Sequence, residues 1–456
     1  MRLIGDRWKM LIGFWLLLGI SLYAKPLDLN ETVTIYVHGF DSEGYRRVGV
    51  FGTEEERDFL QKSAYFLPDH EVVSTIYYGD TPPAYYTQAD IDEIDAITQK
   101  YGGGIPRYAL IVAKFAKYMM QQSGAKQVNF ISGSMGSLVV RWLIEKNVEG
   151  LAAQKKIGRW YSVEGVVNGN YAASTSLLFK LYDSLESVSI DIDHMKYKWV
   201  TRAFGSPRSV GKSPYYKDIL IGFETSTDGH PKEGLLTKLL ITHGQFWPND
   251  GYQISRDTYF RSIPQAYRYQ GELPTHIYLH QTHLGVKDSP ALWADIVNFM
   301  TSRKRVRITL ERVKVDDIKE RNRWYYKKLP AEIVFESRVY APALNLFFGV
   351  TDPVSERTYH DGVPPIVKYR KKHQTKTVNQ VLFDSFVMPY EQSLRIELDA
   401  KEIDGDLRYK VYESIYDRRF ARIGSSSFSV PLVSGLYPFK GHKFSGNVKV
   451  EVISYR

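Results

Sequence analysis

The sequence predicts an α/β domain with a mostly parallel sheet flanked by helices, followed by an all-β sandwich. From residue 32 to about residue 300, short β-branched runs alternate with helical segments, an order typical of a parallel sheet covered on both faces. From about residue 306, apolar and polar residues alternate in short runs separated by Gly, Pro, Asn and Asp, which is typical of an antiparallel sandwich. We therefore predict an α/β domain at residues 25–303 and a sandwich at 304–456.

Each predicted element depends on a local pattern. Clusters of β-branched, aromatic and other apolar residues predict strands at residues 32–37, 72–77, 127–131, 161–167, 218–223 and 275–280. Apolar residues at helical spacing predict helices at residues 54–64, 108–122, 138–146 and 290–300. Gly124 is a stop signal for the second of these helices, and Ser289 is a cap for the last. In the sandwich, alternation is strongest at residues 306–310, 394–398 and 448–452.

Composition excludes several kinds of chemistry. The 456 residues include no cysteine, which rules out disulfides, thiolate metal sites and cysteine nucleophiles. Hydrophobic residues make up 43% and charged residues 24%, so a folded, globular chain is expected. The sequence lacks a His-Glu-x-x-His motif or comparable ligand spacing, so we expect no catalytic metal and no cofactor. Catalysis by serine, histidine and carboxylates, or binding alone, stays open.

The first 24 residues predict a signal peptide. Arg2, Arg7 and Lys9 precede an apolar run at residues 10–23, which ends at the small residue Ala24. A helix of that length spans about 21 Å, less than the roughly 30 Å hydrocarbon core of a bilayer. An uncleaved membrane anchor is the alternative. We expect an exported protein of the periplasm, the cell envelope or the medium, and the lack of cysteine favours a bacterial source.

Positive charge is concentrated in the last third of the chain. Residues 1–300 contain 31 Lys and Arg and 32 Asp and Glu, whereas residues 301–456 contain 29 and 19. Basic residues are densest at 303–307 and 370–373. A solvated surface is the plain interpretation, and attraction to an anionic lipid headgroup or envelope polymer is the alternative. Nucleic acid is not expected as a partner of an exported chain.

The segment at residues 127–143 predicts a nucleophile. A strand runs into small residues around Ser134 and then directly into a helix. A nucleophile on such a tight turn needs small neighbours, because the backbone bends sharply and both flanks come close. The hydroxyl would then lie at the carboxyl edge of the sheet, near the positive end of the helix.

Ser132-Gly-Ser134-Met-Gly136 resembles the nucleophile elbow of the α/β-hydrolase lipases and esterases. It departs from Gly-x-Ser-x-Gly at Ser132, and Gly133 occupies the position that His often holds. The segment His38-Gly-Phe40 resembles the family's first-strand loop. By this resemblance, the backbone N–H groups of Phe40 and Met135 form the oxyanion hole, where one donor contributes about 2.7 to 4 kcal/mol in other enzymes. His38 is expected to shape the loop only.

The resemblance also implies a general base and an acid. The base follows the last strand, which favours His283 over His276 and His280. The acid lies between the serine and the histidine in chain order. Asp250, in an Asn-Asp-Gly turn, is the first choice. Asp228 and Asp257 are the alternatives.

The function implied is hydrolysis of a lipid or acyl ester through an acyl-serine. An acyltransferase or an amide hydrolase with the same triad, or a non-catalytic binding module, are the alternatives. The stretch at residues 172–242 is rich in aromatic residues and is expected to contain a cap or lid. The C-terminal domain resembles the C2-like accessory sandwiches of some lipases. The carboxylates of Asp316, Asp317, Asp399, Asp404 and Asp406 are candidate calcium ligands, and acidic loops without metal are the alternative.

Overall fold

The structure is a computed structural model of the chain. It describes residues 31–40, 54–67, 69–78, 81–175, 189–228, 248–263, 274–317, 330–357, 366–403 and 421–454. The predicted signal peptide lies outside these ranges. Among the residues that are described, no helix is both long and apolar enough to cross a membrane.

The first domain contains a sheet of six parallel strands. In chain order the strands are β1 Thr32–Val37, β2 Val72–Ser74, β3 Gln127–Gly133, β4 Ile157–Val163, β5 Leu220–Ser226 and β6 Thr275–Leu279. Their order across the sheet is β2-β1-β3-β4-β5-β6. The carboxyl ends of parallel strands meet at one edge of a sheet, so the loops after β1, β3, β4, β5 and β6 lie on the same side.

Helices connect these strands. They are α1 Glu54–Phe66, α2 Gln88–Tyr101, α3 Ile105–Ser123, α4 Gly136–Glu145, α5 Tyr171–Ser174, α6 Ser189–Met195, α7 Tyr197–Phe204 and α8 Pro290–Thr301. Helix α3 ends at Gly124 with a φ of 70°, as that glycine predicts. Ser289 is the cap residue of α8, but its side chain makes no capping hydrogen bond. Helix α2 was not among the predicted helices, because much of its face is polar.

Both faces of the sheet are covered. Ile35 packs in one hydrophobic cluster with residues of α3 and α4. Its neighbour Tyr36 packs in a second cluster with Phe59 of α1 and Trp293 of α8. This alternation follows from the two-residue repeat of a strand. The range in which a cap was expected, residues 172–242, includes β5. Because β5 lies between β4 and β6 in the main sheet, this strand is not part of a cap.

The second domain consists of two antiparallel sheets. Its elements are β7 Lys304–Val315, β8 Ala331–Tyr340, α9 Pro342–Phe348, β9 Ser355–Arg357, β10 Val367–Tyr369, β11 Gln374–Val387, β12 Ser393–Ile403, β13 Ala421–Pro431, β14 Gly435–Lys440 and β15 Phe444–Ser454. One sheet has the order β10-β8-β12-β13, with β9 paired to β8, and the other has the order β11-β7-β15-β14. One hydrophobic cluster joins residues from both sheets. The predicted architecture, a mostly parallel sheet flanked by helices and followed by a β-sandwich, is confirmed.

The basic segment at residues 303–307 is only partly solvated: Arg303 is exposed, whereas Arg305 and Arg307 take part in an ion pair. Arg305 is buried and donates to both carboxylate oxygens of Asp384, at 2.9 and 3.0 Å. Arg307 also pairs with Asp384, at 2.9 Å. Burial opposes ionisation of Asp384, but the two guanidinium groups outweigh it and lower the pKa of that carboxyl. Two of the charges in this segment are therefore committed to a structural ion pair.

The candidate calcium carboxylates that the structure describes have cationic partners. Asp399 pairs with Arg422 at 2.5 Å, and Asp317 pairs with Lys372 at 2.8 Å. Asp316 lies 3.0 Å from His373 Nδ1. Asp404 and Asp406 lie outside the described residues. A carboxylate already paired with a cation is a weaker ligand for calcium, because binding the metal requires that pair to break.

Candidate active site

Ser134 lies on a strained turn between β3 and α4. Its φ is 46°, in the left-handed region that residues with a side chain rarely adopt. Its N–H donates to the carbonyl of Val163 at 3.0 Å, and its carbonyl accepts from the N–H of Val166 at 2.8 Å. Ser134 is half-buried between fully buried neighbours. The turn thus leaves this one side chain partly accessible at the carboxyl edge of the sheet.

Close packing of backbone explains the glycines around the turn. A Cβ on Gly136 would lie 2.2 Å from the carbonyl oxygen of Val37, so no larger residue fits where α4 begins. A Cβ on Gly39 would lie 3.0 Å from Cβ of Ser134 and 3.7 Å from its Oγ. The loop after β1 therefore packs directly against the serine.

Ser132, which replaces the first glycine of the family motif, has a structural role. Its Oγ accepts a hydrogen bond from Nε1 of Trp160 at 2.9 Å and lies 2.9 Å from Oγ of Ser137. Ser162 Oγ in turn donates to Ser137 Oγ at 2.9 Å. All four side chains are buried. A serine is thus favoured over glycine here, because it provides the acceptor that the buried indole N–H requires.

The loop at residues 38–40 is held by Tyr77. The Tyr77 hydroxyl donates to the carbonyls of His38 and Gly39, at 2.5 and 3.1 Å. The rings of His38 and Tyr77 stack with their centroids 3.9 Å apart, and Nδ1 of His38 donates to the carbonyl of Gly39 at 2.8 Å. The side chain of His38 thus contacts its own loop. Phe40 is half-buried, and Met135 is buried at the start of α4.

The structure brings Asp250 and His283 together. Oδ2 of Asp250 lies 2.7 Å from Nδ1 of His283. Nδ1 therefore bears the ring proton and donates a hydrogen bond to the carboxylate. The backbone N–H of His283 also donates to the carbonyl of Asp250, at 2.9 Å. Asp250 Oδ1 accepts from the N–H groups of Tyr252 and Gln253, at 2.8 and 2.7 Å. Both the orientation and the tautomer of His283 are therefore fixed.

Short contacts join the Asp250 loop to the serine turn. The side-chain amide of Gln253 donates to the carbonyl of Glu164. Glu164 lies between Val163 and Val166, the two residues whose backbones hydrogen-bond to Ser134. The Tyr252 ring packs 5.0 Å from the ring of His283. The loops after β3, β4, β5 and β6 thus form one connected site.

Glu164 is a site residue that the sequence reasoning missed. It is buried, has a φ of 46°, and its Oε2 lies 3.3 Å from Nδ1 of His283. Its N–H donates to Oε2 of Glu224 at 3.1 Å, and Glu224 Oε1 accepts from Ser226 Oγ at 2.7 Å. A glutamate followed by glycine at the end of a buried parallel strand is the signal that could have found it, because that position faces the site edge.

The buried carboxylates affect one another's ionisation. Burial, followed by the charges of Asp250 and Glu224, raises the pKa of Glu164 well above its usual value. Burial likewise raises the pKa of Glu224 to about 8, although its hydrogen bond from Ser226 opposes the shift. Several negative charges in one buried site repel one another, so ionising every carboxyl group there costs free energy. Glu224 is therefore mainly protonated at neutral pH, and ionisation of Glu164 is opposed by its surroundings.

The alternative histidines and aspartates have other surroundings, although the backbone of Asp228 pairs with that of Asn249, next to Asp250. His276 stacks on Tyr259, and its Nε2 lies 3.3 Å from Nη2 of Arg357 of the sandwich. Burial and the charge of Arg357 lower the pKa of His276 to about 3. Asp228 is exposed. Asp257 accepts from the hydroxyl of Tyr197. His280 is half-buried at the end of β6.

Three aromatic residues of the range in which a cap was expected contact helix α4. Trp199 stacks on Trp142, with centroids 5.6 Å apart, and the Phe204 ring lies 3.9 Å from the guanidinium of Arg141. The hydroxyl of Tyr216 donates to Glu145 at 2.8 Å. Tyr182 lies outside the described residues. These contacts support the helix that follows Ser134.

Among the described residues, Glu164, Asp250 and His283 form a group close enough to ligate a metal ion. The separation of 2.7 Å between Asp250 and His283 is that of a hydrogen bond. Two ligands on one tetrahedral zinc, each at about 2.0 Å, would lie roughly 3.3 Å apart. The geometry therefore fits a proton between these two groups better than a metal.

No family model matches the chain, and no curated protein matches it. Among solved structures, the mature lipase BlEst2 of Bacillus licheniformis matches over 58% of this chain and 89% of that one, with 13% identity and a TM-score of 0.38. The metagenomic carboxyl esterase MGS0156 matches over 56% and 65%, with 14% identity and a TM-score of 0.36. The phospholipase PlaB of Legionella pneumophila matches over 81% and 86%, with 10% identity and a TM-score of 0.37. TM-scores below 0.5 carry no conclusion about activity.

Proposed function

We propose that the chain is an exported serine hydrolase that cleaves carboxylic esters, with a lipid or acyl ester as substrate. Ser134 is the nucleophile, His283 the general base and Asp250 the acid that orients it. One observation carries the proposal: a buried Asp250–His283 pair, 2.7 Å apart, shares the carboxyl edge of the sheet with a serine on a turn of φ 46°. Strained backbone of this kind persists where the surrounding structure over-determines it, and such positions cluster at active sites.

The reaction follows from these roles. The oxygen of Ser134 attacks the acyl carbonyl, and its proton passes to Nε2 of His283, while Nδ1–H keeps its bond to Asp250. The N–H groups of Phe40 and Met135 stabilise the negative oxygen that develops. His283 then gives the proton to the leaving alcohol, which departs and leaves an acyl-serine. Water attacks this ester with His283 again as base, and the acid is released.

Hydrolysis of a graded ester series tests the proposal. Purified protein is incubated with p-nitrophenyl esters from acetate to palmitate and with a phospholipid. A p-nitroanilide and an added alcohol acceptor cover the amide hydrolase and acyltransferase alternatives. We expect saturable release of nitrophenol from at least one ester, with free acid as the main product. A rate equal to that of buffer for every ester would contradict the proposal.

We further propose that the C-terminal domain binds an anionic surface through the turn at residues 370–373. Arg370 and Lys371 are exposed there, whereas Lys372 pairs with Asp317, and Arg305 and Arg307 pair with Asp384. We expect the protein to sediment with vesicles containing anionic lipid at low salt and to be released as salt rises, because exposed charges are screened. Lys371→Glu should weaken the binding, with Lys376→Glu as the matched control. Equal binding to neutral vesicles would refute the role of charge.

A further inference from the structure

We propose that Glu164 is a second carboxylate partner of His283, a positioning residue that can take over the role of Asp250 when that aspartate is absent. The inference rests on the proposed function, in which His283 is the general base. Neither the elbow motif nor the Asn-Asp-Gly turn points to it. It follows from the positions of two carboxyl groups, which both lie near Nδ1 of His283.

Both carboxyl groups lie close to the same atom, Nδ1 of His283. Asp250 Oδ2 lies 2.7 Å and Glu164 Oε2 lies 3.3 Å from Nδ1 of His283. Glu164 is 1% exposed, and its Oε1 has no hydrogen-bond partner among the described residues. A buried carboxylate with an unsatisfied oxygen is costly, so its place beside the imidazole calls for an explanation.

The surroundings hold Glu164 in this position. Its backbone has a positive φ, which directs the residue out of the line of β4. Glu224 accepts from its N–H, and the Gln253 side chain donates to its carbonyl. The backbone is thus fixed on both sides, while Oε2 of the carboxyl group lies 3.3 Å from Nδ1 of His283. A residue fixed in this way loses little entropy when it binds the ring.

The two carboxylates differ in how they are stabilised as anions. Asp250 receives two backbone N–H groups on Oδ1, whereas no donor from the described residues reaches Oε1 of Glu164. Glu164 is surrounded by Asp250 and Glu224, which oppose its ionisation together with burial, while Lys287 and Ser226 favour it. Asp295 of α8 adds negative charge near Glu224. The two N–H donors thus stabilise negative charge on Asp250, and removing that charge takes away one of the causes that raise the pKa of Glu164.

A double-mutant cycle tests the inference. Asp250→Asn, Glu164→Gln and the double variant are compared with the wild type in ester hydrolysis from pH 6 to pH 9. In a triad with a single acid, the Asp→Asn change lowers kcat by about 10⁴-fold. Here we expect Asp250→Asn to lose only about 10²-fold, and the double variant about 10⁴-fold. Glu164→Gln alone should lose a few-fold, because Asp250 still orients the ring.

The pH profile separates this role from a purely structural one. The Asp250→Asn variant should gain activity with rising pH more steeply than the double variant, since only the former has Glu164 to ionise. Equal rates and parallel profiles for these two variants would overturn the inference. Glu224→Gln is the matched control in the Asp250→Asn background. Glu224 is also buried, but its carboxyl group accepts a hydrogen bond from the backbone of Glu164 and is not the group beside His283.

Two further readouts keep the test decisive. Thermal unfolding of each variant shows whether a lost rate reflects a lost fold. If the double variant does not fold, Asp250→Asn alone decides: a loss of about 10² supports a second acid, and a loss of about 10⁴ at every pH overturns it. Ser134→Ala is run in the same assay. Ester hydrolysis that survives Ser134→Ala refutes the proposed function itself, a result distinct from failure of the cycle.

Discussion

Replacing Ser134 with alanine is expected to remove ester hydrolysis, with kcat reduced by about 10⁶-fold. Without the hydroxyl, no acyl-enzyme forms, and the remaining groups can only assist direct attack by water. The fold should persist, because serine and alanine have the same difficulty in adopting a φ of 46°. Steady-state hydrolysis measures the loss, and thermal unfolding shows that the protein is intact.

Ser132→Ala is the matched control, since this serine lies two residues before Ser134, near the end of β3. Its loss leaves the indole N–H of Trp160 without its acceptor, which should cost about 1–3 kcal/mol of stability. Catalysis should stay within about tenfold of the wild type, because Ser132 faces the core. If Ser132→Ala abolished hydrolysis and Ser134→Ala did not, the assignment of the nucleophile would be wrong.

Replacing His283 with glutamine is expected to reduce kcat by a similar factor, about 10⁶-fold. Glutamine can still donate a hydrogen bond to Asp250, but it cannot accept the proton of Ser134. The orienting contact would be kept while the base is lost. Hydrolysis over a range of pH measures the effect, and the loss should persist at every pH.

His280→Gln and His276→Gln are the matched controls. His276 lies in β6 and His280 directly follows it, so both precede His283 in the same segment of the chain. His276 contacts Arg357 and Tyr259, so its loss should affect stability more than catalysis. Each control should keep its rate within about tenfold of the wild type. If His280→Gln lost activity as His283→Gln is expected to, the base would have to be reassigned.

Local sequence patterns were sufficient to predict the fold. The strand of residues 127–133 and the helix after it follow from a β-branched and aromatic run, small turn residues and an apolar helical face, all within 20 residues. The change at residue 304 follows from the switch to two-residue alternation. Helix α2 was missed because its apolar stripe is narrow, with Ile94 as its buried residue. Tertiary packing, not intrinsic pattern, stabilises such a helix.

Contacts between distant residues were not predictable in the same way. The basic run near Arg305 appears solvated in the sequence, because its partner Asp384 is 79 residues away. In the sequence alone Ser132 is a departure from a motif, and its role follows only from the position of Trp160 beside it. Glu164 was assigned to a strand predicted to reach residue 167, whereas β4 ends at Val163 and the chain bends. One error in a strand boundary thus hid a residue of the site.

The central claim is that Ser134 is an activated nucleophile. The most direct measurement is labelling of the protein with a fluorophosphonate probe, followed by peptide mapping of the modified residue. An activated serine attacks the phosphorus and keeps the phosphonyl group, whereas an ordinary serine does not react. We predict a single adduct on Ser134, absent from Ser134→Ala and strongly slowed in His283→Gln. An adduct on another serine, or equal labelling of Ser134→Ala, would contradict the account.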